Sequence, residues 1–161
     1  WLAVMLNGGE KPEFIARRLI ILASEDIGNA EPYAIQLATS ALDAVNKIGM
    51  PESRIILAQI SIYLSISPKS NASYLAIEDA MREVEKKGAG SVPLHLRNNV
   101  SNTDPKCKSY SYPHSYLKHF IDQNYFPDSF KEKPIFYRPQ NQGREISIKA
   151  RLLELWKDRY K

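Results

Sequence analysis

The sequence is poor in the residues on which most small catalytic and metal-binding domains depend. Its 161 residues include one cysteine, Cys107, and three histidines, His95, His114 and His119. A lone thiol closes no intrachain disulfide, so nothing marks an oxidising compartment and a cytoplasmic setting is expected. Cys107, His114 and His119 are the only nearby soft or imidazole ligands, and their spacing fits no closed zinc pattern. Seven glycines are present, but none stands in a Gly-x-x-x-x-Gly-Lys-Ser/Thr phosphate loop. Gly88-Ala89-Gly90 lacks the preceding strand and third glycine of a dinucleotide fingerprint, and reads as a helix stop. No Gly-x-Ser-x-Gly elbow presents a serine, and no nucleophile is coupled to His95. Long apolar runs are missing too. Ile55 to Ile66 is interrupted by Gln59, Ser61 and Ser65, and a bilayer needs about 20 apolar residues. No secretory signal opens the chain, and a first residue of Trp1 points to a piece of a longer protein.

What is present is ordinary globular composition, 43% hydrophobic and 25% charged, which excludes disorder and low-complexity scaffolding. Twenty-two Lys and Arg against 18 Asp and Glu give a net charge of +4. Residues 131–161 carry nine basic and four acidic groups, a balance of +5, which leaves −1 for residues 1–130. A basic tail on a neutral body suits an acidic partner such as nucleic acid, although composition alone does not separate that from solubility.

Helix punctuation organises the first 90 residues. Trp1 to Leu6 reads as a helix tail closed by Asn7-Gly8-Gly9. Pro12 starts a helix in which Phe14, Ile15, Leu19, Ile21 and Leu22 recur at helical spacing until Gly28. Pro32 opens another, with Ala34, Ala38, Ala41, Val45 and Ile48 as a stripe of mostly small residues that lets a neighbouring helix come close. Pro51 starts a third, apolar almost all round and therefore expected to be buried. Ser67-Pro68 opens a fourth, with Tyr74, Ile77, Met81 and Val84 on one face and the pairs Glu78/Arg82 and Glu83/Lys87 on the other.

After Gly88, prolines 93, 105, 113, 127, 134 and 139 break the chain into short pieces. His114 to Asn124 suggests a short helix, Pro134 to Pro139 an extended segment or edge strand, and Arg144 to Tyr160 a terminal helix with Ile148, Leu152, Leu155 and Trp156 on one side. The fold class expected is all-α: antiparallel helix pairs over residues 1–90, then a Pro- and Tyr-rich wrap and a basic C-terminal helix over residues 91–161 of the same domain.

Three polar clusters are more particular than surface decoration requires: Arg17-Arg18 with Ser24-Glu25-Asp26-Ile27-Gly28, Pro68-Lys69-Ser70-Asn71-Ala72, and Pro93-Leu94-His95-Leu96-Arg97-Asn98. Structurally they read as a charged helix face, a capped helix start and a loop pinned by an arginine on carbonyls. Functionally they read as a polar or anion-receiving surface. Adjacent acids such as Glu25-Asp26 and Glu78-Asp79 diverge by about 100° on a helix and do not converge on one substrate atom.

Taken in this order, with Leu6-Asn7-Gly8-Gly9-Glu10 before them and Gln123-Asn124-Tyr125-Phe126-Pro127, Gly143-Arg144-Glu145 and Trp156 after them, the clusters resemble the C-terminal region of the RarA/MgsA family. These are replication-associated recombination AAA+ ATPases related to the Werner-helicase-interacting protein. The resemblance implies a helical domain similar to the clamp-loader collar that assembles homotetramers and holds no cofactor itself. ATP and magnesium would belong to an upstream ATPase module absent from this sequence. It implies DNA at forks or gaps and single-stranded-DNA-binding protein as partners, no membrane, and a cytoplasmic, nucleoid-associated setting. The polar surface would comprise Arg17, Arg18, Glu25, Asp26, Lys69, Ser70, Asn71, His95, Arg97 and Asn98. The sequence departs from the family over Asn99 to Ser109, so local structure is not carried over there.

Three functions are open on the sequence alone. The first is a non-catalytic oligomerisation domain. The second is a nucleic-acid module using Arg138, Arg144, Lys149 and Arg151, with Tyr110, Tyr112, Tyr116 and Tyr137 as stacking platforms. The third, an enzyme acting through His95 and Arg97, is the weakest because no second catalytic group can be named.

Overall fold

The structure is a computed structural model and describes residues 1–97 and 110–160. Cys107, Asn98 and the departure at 99–109 lie outside the described residues. Six α-helices and several short 3₁₀ turns make up the regular structure, and no strand occurs among the described residues. The helices are α1 (Leu2–Asn7), α2 (Pro12–Leu22), α3 (Tyr33–Ile48), α4 (Ser53–Ile66), α5 (Ala72–Lys87) and α6 (Glu145–Trp156). The all-α expectation holds. Two compact units form, residues 1–78 with 136–151 and residues 79–135 with 152–161.

The first unit is organised around α2, α3 and α4. The small-residue stripe of α3 packs inside the chain. Ala34, Ala38 and Ala41 join Ala23, Ile27, Ile60 and Leu64 in one buried cluster, flanked by Leu19, Ile20 and Tyr63. A second cluster joins Ile15, Ala16, Val45 and Leu57, with Leu2, Met5 and Leu6 of α1 against it. Each fully buried Leu or Ile contributes about 1.5–3 kcal/mol, and the alanines contribute chiefly by letting helix axes approach. Ile48, expected on the same stripe, is 55% exposed because the helix ends there and turns at Gly49. Ser53 is buried and its hydroxyl donates to the Gly49 carbonyl at 2.7 Å, which joins the end of α3 to the start of α4.

Several expectations need correction. The helix from Pro12 does not run to Gly28. It ends at Leu22 and continues as a single π-turn over Ala23–Ile27, closed by the Gly28 N–H on the Ala23 carbonyl. The extra residue keeps Ala23 and Ile27 in the core while Ser24, Glu25 and Asp26 face out. Helix α4 is not buried all round: Leu57, Ile60 and Leu64 are inside, whereas Ile55, Ile62 and Ile66 are 63%, 63% and 78% exposed. It begins at Ser53 because Pro51 and Glu52 form a turn. Helix α5 begins at Ala72, not Pro68, and its stripe of Tyr74, Ile77, Met81 and Val84 remains exposed.

In the second unit Arg82 pairs with Asp79 instead of Glu78, and Lys87 pairs with Glu83 as the spacing predicts. His114 to Asn124 holds two 3₁₀ turns, Pro113–Ser115 and Leu117–His119, instead of a helix. No buried Ala, Val, Leu or Ile lies in this unit among the described residues. Aromatic contacts serve instead. Phe120 meets Trp156 edge-on at 4.9 Å, and the Arg159 guanidinium lies 4.6 Å from the Trp156 ring and 5.6 Å from Phe126. Helix α6 ends at Trp156 and gives way to a 3₁₀ turn over Lys157–Tyr160, shortening the expected terminal helix.

The Pro134 to Pro139 segment forms no ladder, and the chain returns to the first unit through Gly143. There φ is +47°, and a Cβ would lie 2.1 Å from the Ala30 carbonyl oxygen and 2.7 Å from Pro68 Cγ. The left-handed conformation alone costs a larger residue about 1–2 kcal/mol, and the overlap forces the backbone apart as well. Gly143→Ala is therefore expected to lower stability by more than about 2 kcal/mol in chemical denaturation; unchanged stability would show that this approach is not a constraint.

Candidate functional site

The candidate polar residues fall into three groups. In the first unit, one group converges on a carboxyl side chain that sequence reasoning missed as a centre. Glu145, the first residue of α6, is 0% exposed. Its Oε2 accepts from the Ser70 hydroxyl at 2.7 Å and from the Gln140 backbone N–H at 2.7 Å, and its Oε1 accepts from the Tyr137 hydroxyl at 2.8 Å. A buried acid without partners would be strongly unfavourable, and three donors satisfy this one.

The donors are themselves tied down. The Ser70 oxygen accepts from the Ala72 N–H at 3.2 Å, capping α5, while the Ser70 N–H donates to the Asp26 carbonyl at 2.8 Å. Asn29 Nδ2 donates to Ser73 Oγ at 3.1 Å and to the Tyr137 hydroxyl at 3.3 Å. Gln140 Nε2 donates to Asn71 Oδ1 at 3.0 Å, and the Arg144 N–H donates to the Ala30 carbonyl at 2.8 Å. Gly28 completes the knot: its φ is +51°, and a Cβ would lie 2.9 Å from the Ser70 carbonyl oxygen. The segments Ser24 to Gly28, Pro68 to Ala72 and Gly143 to Glu145 thus meet around one carboxyl group. Sequence signals existed in Gly143-Arg144-Glu145 and in Ser70. Only the fold shows that they touch.

Lys69 takes no part in this centre. Its ammonium donates to the carbonyls of Leu64 and Ser67, closing the C-terminal end of α4 where carbonyls lack helical partners. Arg17, Arg18, Glu25 and Asp26 are exposed, and among the described residues no hydrogen bond or ion pair engages their side chains. Asp26 enters the network through its backbone alone.

The second unit holds the remaining candidates. His95 Nε2 lies 2.8 Å from the Asn124 carbonyl, so that nitrogen carries the proton and donates. Arg97 stays exposed and its Nε donates to the Val92 carbonyl at 2.7 Å, pinning its own loop. Among the described residues both side chains are engaged by backbone carbonyls, and no nucleophile or acid is hydrogen-bonded to either. The His114 and His119 rings lie tilted to one another with centroids 4.9 Å apart, and no group of three or more His, Cys, Asp or Glu able to hold a metal occurs among the described residues.

The candidate nucleic-acid contacts lie in the first unit. Arg138, Arg144 and Arg151 are exposed, and Lys149 donates to Asn141 Oδ1 at 2.9 Å. None of the four has an acidic partner among the described residues.

This geometry makes Glu145 a stability residue. Glu145→Ala removes the acceptor of the buried Ser70 hydroxyl and of the part-buried Tyr137 hydroxyl and Gln140 N–H, and a buried donor left unsatisfied costs about 1–3 kcal/mol. We expect a loss of about 3 kcal/mol in urea denaturation, and a smaller loss for Glu145→Gln, which keeps an acceptor oxygen. Equal stability of Glu145→Ala and the unaltered chain would contradict the assignment.

Comparison with known proteins agrees with the residue pattern. The family described as MgsA AAA+ ATPase C terminal matches residues 1–156. The chain is 40% identical to replication-associated recombination protein A of Haemophilus influenzae, over 96% of this chain and 35% of that protein. It is 34% identical to the Escherichia coli K12 protein of the same name, over 94% of this chain and 35% of that protein. With the ATPase WRNIP1 of Dictyostelium discoideum it shares 35% identity over 84% of this chain and 16% of that protein. The chain thus spans about a third or less of the length of these relatives. With the match running almost from end to end, the chain belongs to the family of MgsA AAA+ ATPase C-terminal domains.

Proposed function

We propose that this chain is the non-catalytic self-assembly domain of an AAA+ ATPase acting in replication-fork maintenance and recombination. The observation that carries the reading is the outer face of α4. Its fourteen residues include one charged side chain, Arg54, yet Ile55, Ile62 and Ile66 stand more than half exposed. Leu37, Ala41, Ile56 and Tyr63 line a neighbouring groove of about 330 Å³ between α3 and α4. The groove lining includes no Asp, Glu, Lys or Arg, and burial raises the Tyr63 phenol above its ordinary value of 10.0, with Glu31 adding to the shift. Contiguous apolar surface of this kind marks interaction sites, and charge depletion is the compositional sign of an interface centre.

The family's ATPase chemistry needs ATP and magnesium in a module outside this sequence, and this chain brings the chains together. Two of the three polar clusters, those of Lys69 and Ser70 and of His95 and Arg97, support that role by holding loops and helix ends in place. A second reading, contact with DNA at forks or gaps, is favoured by Arg138, Arg144, Lys149 and Arg151, which lack acidic partners among the described residues. Single-stranded-DNA-binding protein, and a cytoplasmic, nucleoid-associated setting, follow from the same reading. No helix among the described residues is long and apolar enough to cross a membrane.

Light scattering over a concentration series tests the first reading. A mass near four chains is expected, falling for Ile62→Asp with helicity retained; a monomer at every concentration contradicts it. For the second reading, neutralising the four basic residues should flatten the salt dependence of single-strand binding by about 0.7 in log–log slope per lost contact. An unchanged slope removes them from the interface.

A further inference from the structure

The self-assembly reading leaves unexplained four exposed charges, two in α2 and two in the π-turn after it, whose side chains engage nothing among the described residues. Arg17 and Arg18 lie in the middle of α2, and Glu25 and Asp26 lie in the π-turn that ends it; all four are exposed. Their order is the reverse of what a helix favours within itself. Acidic groups stabilise the N-terminal end and basic groups the C-terminal end, and an acid preceding a base at i,i+4 is better than the opposite order. Glu13, in the first turn of α2 and four residues before Arg17, has the favourable order, whereas the acids Glu25 and Asp26 at the C-terminal end are not accounted for by the chain's own helix electrostatics.

Between the charges lies an apolar groove. Ile20, Ile21, Ser24 and Glu25 form one wall, and Ser73, Tyr74 and Ile77 of α5 form the other, enclosing about 380 Å³. Ile21 and Tyr74 are each 43% exposed and Ile77 is 56% exposed. Arg17 stands four residues before Ile21 and Glu25 four residues after it, so the three follow one another along one helix face as basic, apolar and acidic.

We propose that this face is an isologous interface with a second copy of the chain, α2 lying antiparallel to α2 about a two-fold axis at Ile21. The inference rests on the self-assembly reading and adds the surface through which it occurs. An isologous contact requires a patch complementary to itself under a two-fold rotation. With basic and acidic groups equally far from an apolar centre, this patch meets that requirement. The rotation brings Arg17 of one copy to Glu25 of the other, twice, about 12 Å apart along the axis at 1.5 Å per residue. Arg18 and Asp26 flank the same pairs. Ile21 meets Ile21 of the second copy at the centre, where Tyr74 and Ile77 close over it. Antiparallel pairing also opposes the two helix dipoles. A partner of uniform charge would leave one end of the groove facing like charge, which argues for a second copy over an acidic or basic ligand.

A charge-swap series tests the proposal in the 161-residue chain, read as mass by light scattering, with circular dichroism and thermal unfolding as the check on folding. R17E places carboxylates opposite one another at two points, and E25R does the same with cations. Each single variant should weaken association about tenfold or more and at least halve the mass at a concentration where the unaltered chain is assembled. The double variant R17E/E25R regenerates both pairs in exchanged positions and should regain the original mass. Folded single variants that keep the full mass overturn the interface while leaving self-assembly standing. A double variant that folds but stays dissociated overturns the pairing. An unaltered chain that is monomeric at every concentration overturns both the interface and the self-assembly reading, and directs the groove to a different occupant.

Discussion

The requirement that a buried carboxyl group be given donors organises the polar half of this structure. Glu145 has no contact with solvent, and its three donors come from Ser70, Tyr137 and Gln140, residues up to 75 positions away. Each donor fixes a different loop. Ser70 holds the start of α5 and reaches the π-turn through the Asp26 carbonyl. Tyr137 holds Asn29, and the turn before α6 is pressed against Ala30 so closely that only glycine fits at position 143. The apolar core of α2, α3 and α4 supplies most of the stabilisation, whereas this network specifies which loops meet.

How much of this was legible in the sequence varies with the physics of each element. Periodicity and proline placement found α2 and α3, because a one-sided apolar stripe and a proline start are local signals. The same reasoning over-buried α4, since a sequence apolar all round is the same whether its outer face meets a neighbouring element or an interface. It could not see the π-turn at Ala23–Ile27, whose single inserted residue leaves helical spacing almost intact. The motif clusters were visible as clusters, but their meaning depended on long-range contact. Ser70 and Glu145 carry no local sign of each other, and Lys69 read as an anion receiver closes the end of α4 instead.

The division between hidden and exposed residues supports a coherent account of the domain's work. Lys69, Ser70, Asn71, His95 and Arg97 are spent on internal positioning, whereas Arg17, Arg18, Glu25 and Asp26 stay exposed beside the α2–α5 groove, which with the outer face of α4 presents unmet apolar area. Their chemistry differs. The α4 face is nearly chargeless and suits broad apolar burial, while the groove is bounded by opposite charges and suits register-specific pairing. On the proposed reading, a domain built in this way brings copies of the chain together in a defined orientation.

The polar network depends on Ser70 and Glu145 acting as one unit. A double-mutant cycle with Ser70→Ala and Glu145→Ala, read by chemical denaturation, measures this directly. The account predicts a coupling of about 1 kcal/mol or more, because the second substitution removes little once the first has broken the bond. Additive losses, agreeing within about 0.3 kcal/mol, would contradict it and reduce the buried contact to coincidental proximity.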